Sequence, residues 1–382
     1  MPPFQRPALE LADIIERHGH RLENLNGEQQ RILRAIASCR TAALGGHVET
    51  CDHCHYRRVA YNSCRNRHCP KCQASACARW MGDREEELLP VEYFHVVFTL
   101  PDSFNALALA NKRVLYSVLF DAVGQTLLEV AANPKHLGAK IGFMSILHTW
   151  GQSLCLHPHV HCVVPGGGLS PDGSKWIPCR PGFFLPVRVL SKVFRGKFID
   201  LLKRARGGGK LIGAESDDGF ERMLDASVQH DWVVYAKPPF GGPEQVLKYL
   251  ARYTHRIAIS NRRLVSTDNQ SVTFKWKDYA HHNKPRTMTL DGAEFLRRFL
   301  LHAVPTGFMR IRHFGLLANR VRSSNLALCR QRLNAQPPAD PTVLNDNAAH
   351  QHCPECKCGT LHAGPNLTPL ELHRVTIRMD TS

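Results

Sequence analysis

Acidic residues are scarce in this chain. Its 382 residues hold 33 Asp and Glu against 49 Lys and Arg, a formal net charge of +16. Such a deficit disfavours acidic partners and favours a polyanion, with nucleic acid ahead of an anionic membrane surface. Also missing is any uninterrupted apolar run near the roughly 18 residues that span a membrane. The first residues lack the apolar core of a signal peptide. The expectation is a soluble, cytoplasmic, bacterial-type protein, associated with the nucleoid, with neither a membrane nor a small molecule as partner. No internal repeat is visible, which excludes a solenoid. The length allows two or three domains and a sizeable core.

Cysteine is not scarce. Of 14 cysteines, six lie between residues 51 and 77 and three between 353 and 358. Several form C-x-x-C pairs mixed with His, which in a reducing compartment points to metal sites rather than disulfides. In "CDHCHYRRVAYNSCRNRHCPKC", Cys51-x-x-Cys54 is followed, after a gap of 14 residues, by Cys69-x-x-Cys72. Each knuckle supplies two thiolates, and four complete a tetrahedral zinc shell with no open position for water. Such a zinc is structural. Cys64, His68 and Cys77 are surplus; one could replace a ligand, or some could form a second site. Arg57, Arg58, Arg65, Arg67 and Lys71 lie among them, either on DNA phosphates or as a solvated face. At the other end, "HCPECKCGTLH" offers Cys353, Cys356, Cys358 and His362 for a second, separate zinc knuckle, or a remnant with free thiols.

Three parts follow from the pattern. Residues 1–90 hold a helical lead-in, with helical apolar spacing at Ile32, Leu33 and Ile36, and the first Cys/His cluster. Residues 91–300 alternate strand and helix patterns. "YFHVVFTLP", "IGFMSILHTWG", "HVHCVVPGG" and "SVTFKWKDYA" read as strands; "FNALALANKRVLYSVLFDAVGQTLLEVAA" reads as one or two helices, and "EQVLKYLARYTHR" as another. "RARGGGK" at 204–210 reads as a flexible loop. Residues 301–382 are Arg-rich, then loose, and end in the second Cys cluster.

The most telling stretch is "LHPHVHCVV" at 156–164. In a strand, alternate side chains share a face. His159 and His161 therefore project together, while Val160, Cys162 and Val164 turn to the core. Two imidazoles side by side make part of a divalent-metal site. The third ligand must come from a neighbour. A hairpin of "SILHTW" with "HVHCVV" brings His148 opposite the pair; Gln152, nearer the turn, is the alternative. Edge-strand histidines without metal are the competing structural reading.

Downstream, "EQVLKYLARYTHRIAISNRRL" carries Tyr249 and Tyr253 at i, i+4, so on a helix both hydroxyls emerge from one face. Val246, Tyr249, Leu250, Tyr253 and Ile257 also form an apolar stripe, which is the core reading of the same residues. Arg252 and Arg256 stand beside the tyrosines as candidate DNA contacts. A tyrosine hydroxyl, with a pKa near 10, becomes an effective nucleophile on a phosphodiester when a metal neutralises developing charge. The product is a 5′-phosphotyrosine link and a free 3′-OH, and the link keeps the energy needed to join a second end.

Together these segments resemble the two-tyrosine HUH transposases of the insertion-sequence ninety-one family, which are similar to Helitron and rolling-circle replication proteins. The segments that carry the resemblance are "FTLP" (98–101), "LHTWGQSLCLHPHVHCVVPGGGL" (147–169), "KYLARYTHRIAISNRRL" (248–264), "SCRNRHCPKC" (63–72) and "HFGLLANRVR" (313–322). The resemblance implies an α+β fold: a central antiparallel sheet with packed helices, the HUH endonuclease core, preceded by a small zinc-ribbon-like domain. It implies a metal-dependent single-strand DNA endonuclease and strand transferase acting in rolling-circle transposition. Tyr249 and Tyr253 match the paired nucleophiles, with Tyr249 first; His159 and His161 match the HUH pair, with His148 favoured over Gln152. The implied cofactors are Mg²⁺ or Mn²⁺ for catalysis and Zn²⁺ for structure, and the implied partners are single-stranded element ends and target DNA. A plasmid-type initiator or relaxase, or a zinc-dependent DNA-binding protein without catalysis, are the alternatives.

One further absence concerns DNA. Between Arg297 and Arg332 there are eight Arg and no Asp or Glu. Such a window predicts a phosphate-contacting surface, with Arg310, Arg312, Arg320 and Arg322 as candidates. Trp276 and Tyr279 could stack on bases, or belong to the core.

Overall fold

A computed structural model describes residues 9–73, 87–213, 216–237, 258–278, 281, 284–335 and 352–380. The chain opens with helices α1 (Leu11–His18) and α2 (Gly27–Ala37). Asn26 starts α2 by accepting from the Gln29 backbone, while the Gln29 side chain returns the bond to the Asn26 N–H. This reciprocal cap satisfies two otherwise orphaned donors. Ile32, Leu33 and Ile36 are buried, as their spacing predicts. A hairpin, β1 (Gly46–Cys51) with β2 (Arg57–Tyr61), follows.

The central unit begins with β3 (Tyr93–Thr99), α3 (Asn105–Ala110) and α4 (Lys112–Ala132). The predicted helical stretch is thus two helices, broken at Asn111, whose side-chain oxygen accepts from the Ile212 backbone. Then come β4 (Gly142–Trp150), β5 (Leu156–Pro165), the ribbon β6 (Gly167–Leu169) with β7 (Trp176–Pro178), α5 (Val187–Gly207), α6 (Asp217–Val228) and β8 (Val234–Lys237). Arg204 to Gly207 still belong to α5, so the loop expected at 204–210 begins later than predicted. A second sheet is formed by β9 (Leu264–Thr267), β10 (Ser271–Asp278) and β11 (Lys284–Asp291), followed by α7 (Gly292–Leu301). The chain continues through β12 (Ile311–Gly315), α8 (Arg322–Arg332), β13 (Leu361–Ala363) and α9 (Pro369–Asp380).

The main sheet has the order β12-β4-β5-β3-β8, with every pair antiparallel. Its two faces differ. On one, Val160, Cys162 and Val164 of β5 and Phe94, Val96 and Phe98 of β3 are fully buried against α4 and α5. Phe98 meets Phe194 of α5 edge-on, with ring centroids 5.1 Å apart. Each such aromatic or aliphatic side chain stabilises the fold by roughly 1.5–3 kcal/mol on burial. The other face carries the odd-numbered residues of β5 and β3, including His159 and His161.

Among the described residues α4 is long and apolar enough to cross a membrane, with 21 residues and a mean hydropathy of 1.4 over its best window, although no uninterrupted apolar run was expected. Its apolar window is 67% buried inside the protein, the behaviour of a core helix.

Beyond residue 301 the chain supplies strands to two different sheets. β12 is an edge strand of the main sheet, whereas β13 pairs with β1 near the N-terminus. At the other side, α1 lies against α7, where a Cβ on Gly292 would stand 2.2 Å from the His18 ring. Only glycine permits that approach.

Candidate metal centre and nucleic-acid contacts

β4 and β5 pair so that His148 stands directly opposite His159 and Ile146 opposite His161. The hairpin expected between these segments is therefore in the register that brings a third imidazole to the pair. Ring nitrogens of His148, His159 and His161 all lie within 4.8 Å of one another. The His148 ring centroid is 4.3 Å from that of His161 and 5.3 Å from that of His159. Just beyond, the ladder slips by one residue between His148 and Trp150. Pro158 sits in this irregularity, where a missing N–H breaks no ladder bond. The slip bends the strand ends, and Trp150 stacks on His148 at 4.5 Å. Gln152 lies past the slip, and its backbone carbonyl accepts from Arg263.

Two hydrogen bonds orient the rings. Nδ1 of His159 is 2.6 Å from the His157 carbonyl oxygen, so Nδ1 donates and Nε2 is left as the ligating atom. Nδ1 of His161 is 2.7 Å from Nε2 of His95, with the two rings stacked at 4.9 Å and nearly parallel. His95 is a member of β3, and its part was not foreseen, although the alternation His95, Val97, Thr99 placed it on the histidine face. His157, first of the three alternating histidines, is half-exposed near Asp102 rather than in the cluster.

Burial pushes the pKa of His159 down to about 4 and that of His161 well below its ordinary value, helped by the neighbouring imidazoles. Burial, then Lys237, lowers His95 to about 4. The rings are neutral at pH 7, the form that ligates metal. Three imidazoles on one sheet face form a donor set that a divalent cation would fit. On ligand preference this set suits Mn²⁺ better than Mg²⁺.

Beside the centre, β8 is one strand removed from β5, and Lys237 stands opposite His95. Tyr235 and Val233 are exposed there. The chain leaves β8 at Lys237; Tyr249, Tyr253, Arg252 and Arg256 lie outside the described residues, as do Tyr279 and Cys77. Trp276 packs against the main core, which favours the core reading for that residue.

The acid-free window is not acid-free in space. Arg312, expected on a phosphate surface, donates to Asp121 and Ser117 of α4 and lies over the Phe120 ring at 4.5 Å. Arg310 is partly buried, and burial and then Arg67 push its pKa down to about 9. Arg322 pairs with Glu87 at 3.1 Å, and Arg297 and Arg298 both clasp Glu294. Arg320 is exposed. Near the first cysteines, Arg58 pairs with Glu49 and Lys71 with Glu10, while Arg57 and Arg65 face solvent.

The cysteines fall into two groups, and neither is the expected set. Cys51 and Cys54 do not join Cys69 and Cys72. Instead Cys69 and Cys72 meet Cys39 and Cys64, with all four sulfurs within 4.8 Å of one another. Cys51 and Cys54 meet Cys353 and Cys356 in the same way. The first knuckle sits at the turn of the β1–β2 hairpin and is carried away from the second, which begins after residue 68. Cys64, counted as surplus, thus belongs to a group; Cys39, with no C-x-x-C partner, gave no local signal. His68 belongs to neither. It is buried, its Nε2 accepts from the Val304 N–H, and burial lowers its pKa to about 3. Cys358 and His362 are not part of the second tetrad either: Cys358 is exposed 3.6 Å from His53, and His362 bonds Asp52 at 3.1 Å.

Comparison with known proteins gives two family matches. Residues 11–100 match the family described as "Transposase zinc-binding domain", and residues 142–325 the one described as "Putative transposase". "Putative transposase y4qJ" of Sinorhizobium fredii is 54% identical over 377 residues, covering 93% of this chain and 95% of the relative. "Transposase for insertion sequence element IS801" of Pseudomonas savastanoi pv. phaseolicola is 28% identical over 355 residues, covering 89% and 83%. Among solved structures, the conjugative relaxase TrwC in complex with oriT DNA, metal-bound, aligns at 12% identity with a TM-score of 0.25, over 43% of this chain and 71% of that one.

Proposed function

The chain belongs to the insertion-sequence ninety-one family of transposases, and on that premise we propose that it cuts and rejoins single-stranded DNA by tyrosine attack, in a rolling-circle mode of transposition. The observation that carries this reading is the convergence of His148, His159 and His161 on one face of the main sheet. Through β3 that face adjoins β8, the strand that leads directly into the tyrosine segment.

The three imidazoles would hold Mg²⁺ or Mn²⁺, which when bound supplies positive charge at the scissile phosphate. The protein's own groups do the rest. The His157 carbonyl holds His159 with Nε2 presented, and His95 does the same for His161. Tyr249, as first nucleophile, loses its proton and forms an O–P bond; the 3′ oxygen departs and takes up a proton to become a 3′-OH. The 5′-phosphotyrosine so formed is attacked in turn by a 3′-OH, which reseals a strand and frees the tyrosine. Tyr253 serves the second end. The neighbouring strand spacing of about 5 Å puts β8 roughly 10 Å from β5.

Incubation of the protein with labelled single-stranded oligonucleotides and Mn²⁺ tests this. The expected result is a covalent protein–DNA adduct, stable to denaturation and dependent on the divalent cation, with mass spectrometry locating it on Tyr249. DNA binding without any adduct would return the protein to the class of non-catalytic zinc-dependent binders.

A further inference from the structure

We propose that Cys51, Cys54, Cys353 and Cys356 bind a second Zn²⁺ that clasps the C-terminal segment onto the N-terminal module. The matched zinc-binding domain ends at residue 100, so half of this ligand set lies outside it.

The geometry is that of a metal shell. Sγ of Cys51 is 3.7 Å from Sγ of Cys356, and Sγ of Cys54 is 3.6 Å from Sγ of Cys353. A tetrahedral ZnS₄ unit with bonds of about 2.3 Å sets its sulfurs about 3.8 Å apart, whereas a disulfide needs about 2.05 Å. The group formed by Cys39, Cys64, Cys69 and Cys72 repeats the spacing, with Cys39 and Cys64 each 3.6 Å from Cys72.

The backbone is shaped for the same task. The second cysteine of each knuckle is followed by a left-handed residue, His55 at φ 59° and Lys357 at φ 61°. That conformation, uncommon outside glycine, folds the chain back over the sulfur. N–H groups then point at the sulfurs: those of His53 and Cys54 at Cys51, and that of Gly359 at Cys356. Such donors stabilise thiolate rather than thiol. On binding, four thiols release four protons to solvent and leave a site of net charge −2, which these donors partly offset. Gly359 is required on steric grounds as well, since a Cβ there would stand 2.4 Å from the Cys51 sulfur.

Contacts around the cluster show that it joins two distant parts of the chain. β13 adds to β1, with Cys51 opposite Leu361. Asp52 accepts from the Thr360 N–H at 2.7 Å, and Gly46 and Leu367 exchange backbone bonds. Further bonds run from the Asp52 N–H to the Thr360 carbonyl and from the Gly364 N–H to the Val48 carbonyl, and the metal adds its four bonds to these.

The test is zinc counting and release on the full chain. By elemental mass spectrometry, Cys353→Ser, Cys356→Ser should hold one zinc fewer per chain than wild type, and Gly359→Ala should show the same loss. Cys39→Ser, Cys64→Ser should lose a different equivalent. Unchanged zinc content in Cys353→Ser, Cys356→Ser overturns the proposal. Because a variant could lose zinc simply by misfolding, a second measurement uses wild-type ligands. A protease site inserted near residue 343 allows the chain to be nicked after folding. The fragment that begins there should stay with the body through gel filtration and dissociate when a strong chelator removes zinc. Dissociation without chelator, or retention after all zinc is gone, would show that the metal is not the clasp.

Discussion

Replacing His95 with Phe separates ring packing from proton placement at the candidate metal centre. Phe keeps an aromatic ring in the stack, whose centroids are 4.9 Å apart, but removes the 2.7 Å partner of His161 Nδ1. Two outcomes are open to His161. Its Nδ1–H can stay and go unsatisfied, at a cost of about 1–3 kcal/mol for a buried donor. Alternatively the proton shifts to Nε2, the atom that must be bare to ligate. Either way the cation binds to a less favourable state. Partners of this kind typically change metal affinity by about 10–100-fold, equivalent to about 1.4–2.8 kcal/mol. Titration calorimetry with Mn²⁺ reads that change directly, and thermal denaturation of the metal-free protein reads the stability term. Expected are a 10–100-fold weaker Mn²⁺ affinity for His95→Phe and partial recovery for His95→Gln, whose amide oxygen can accept the proton. Wild-type Mn²⁺ affinity in His95→Phe, with stability alone reduced, would refute the reasoning and leave His95 as packing.

His159→Ala, His161→Ala should keep the fold and DNA binding and lose nicking; nicking at the wild-type rate on a labelled oligonucleotide would remove the metal assignment. Tyr249→Phe should abolish the first adduct, whereas Tyr253→Phe should form it but fail in strand transfer, each at a stability cost of only about 1 kcal/mol; full transfer by the double Phe variant would return the pair to the apolar stripe. Arg312→Ala should destabilise the protein by about 1–3 kcal/mol, by the loss of its Asp121 and Ser117 bonds and its ring contacts, and leave the salt dependence of DNA binding unchanged. Arg320→Ala, at an exposed position, should instead flatten the log–log salt slope by about one unit with little effect on melting, if it meets a phosphate.

Local spacing made the histidine centre readable. A strand period of two put His159 and His161 on one face, and a short connection made β4 and β5 antiparallel neighbours, so the register brought in His148. His95 was harder. It is 66 residues from its partner, and nothing in "YFHVVFTLP" distinguishes a ligand-supporting histidine from any other on a half-covered face. The cysteines were misassigned for the same reason. Two C-x-x-C knuckles near one another suggested one site, but each completes its tetrad with cysteines outside the pair, in one case about 300 residues away. Arg312 repeats the point: its acid is supplied by α4, 191 positions earlier, and no window of sequence contains both. Local pattern specifies faces and turns; which faces meet is decided by the packing of the whole chain.

The pairing of Cys54 with Cys353 across 299 positions also has a consequence in time. A ribosome adds about 5–20 residues per second. Cys51 and Cys54 therefore emerge roughly 15–60 s before the cysteines that complete their tetrad. The other tetrad closes within 33 positions, from Cys39 to Cys72, and can fill almost at once. During synthesis, the N-terminal tetrad can thus close early, whereas Cys51 and Cys54 wait for their partners until the chain is nearly finished. A ribosome stalled anywhere in the main sheet would release a product with that pair still open, chemically distinguishable from the finished protein by two free thiols at one hairpin turn.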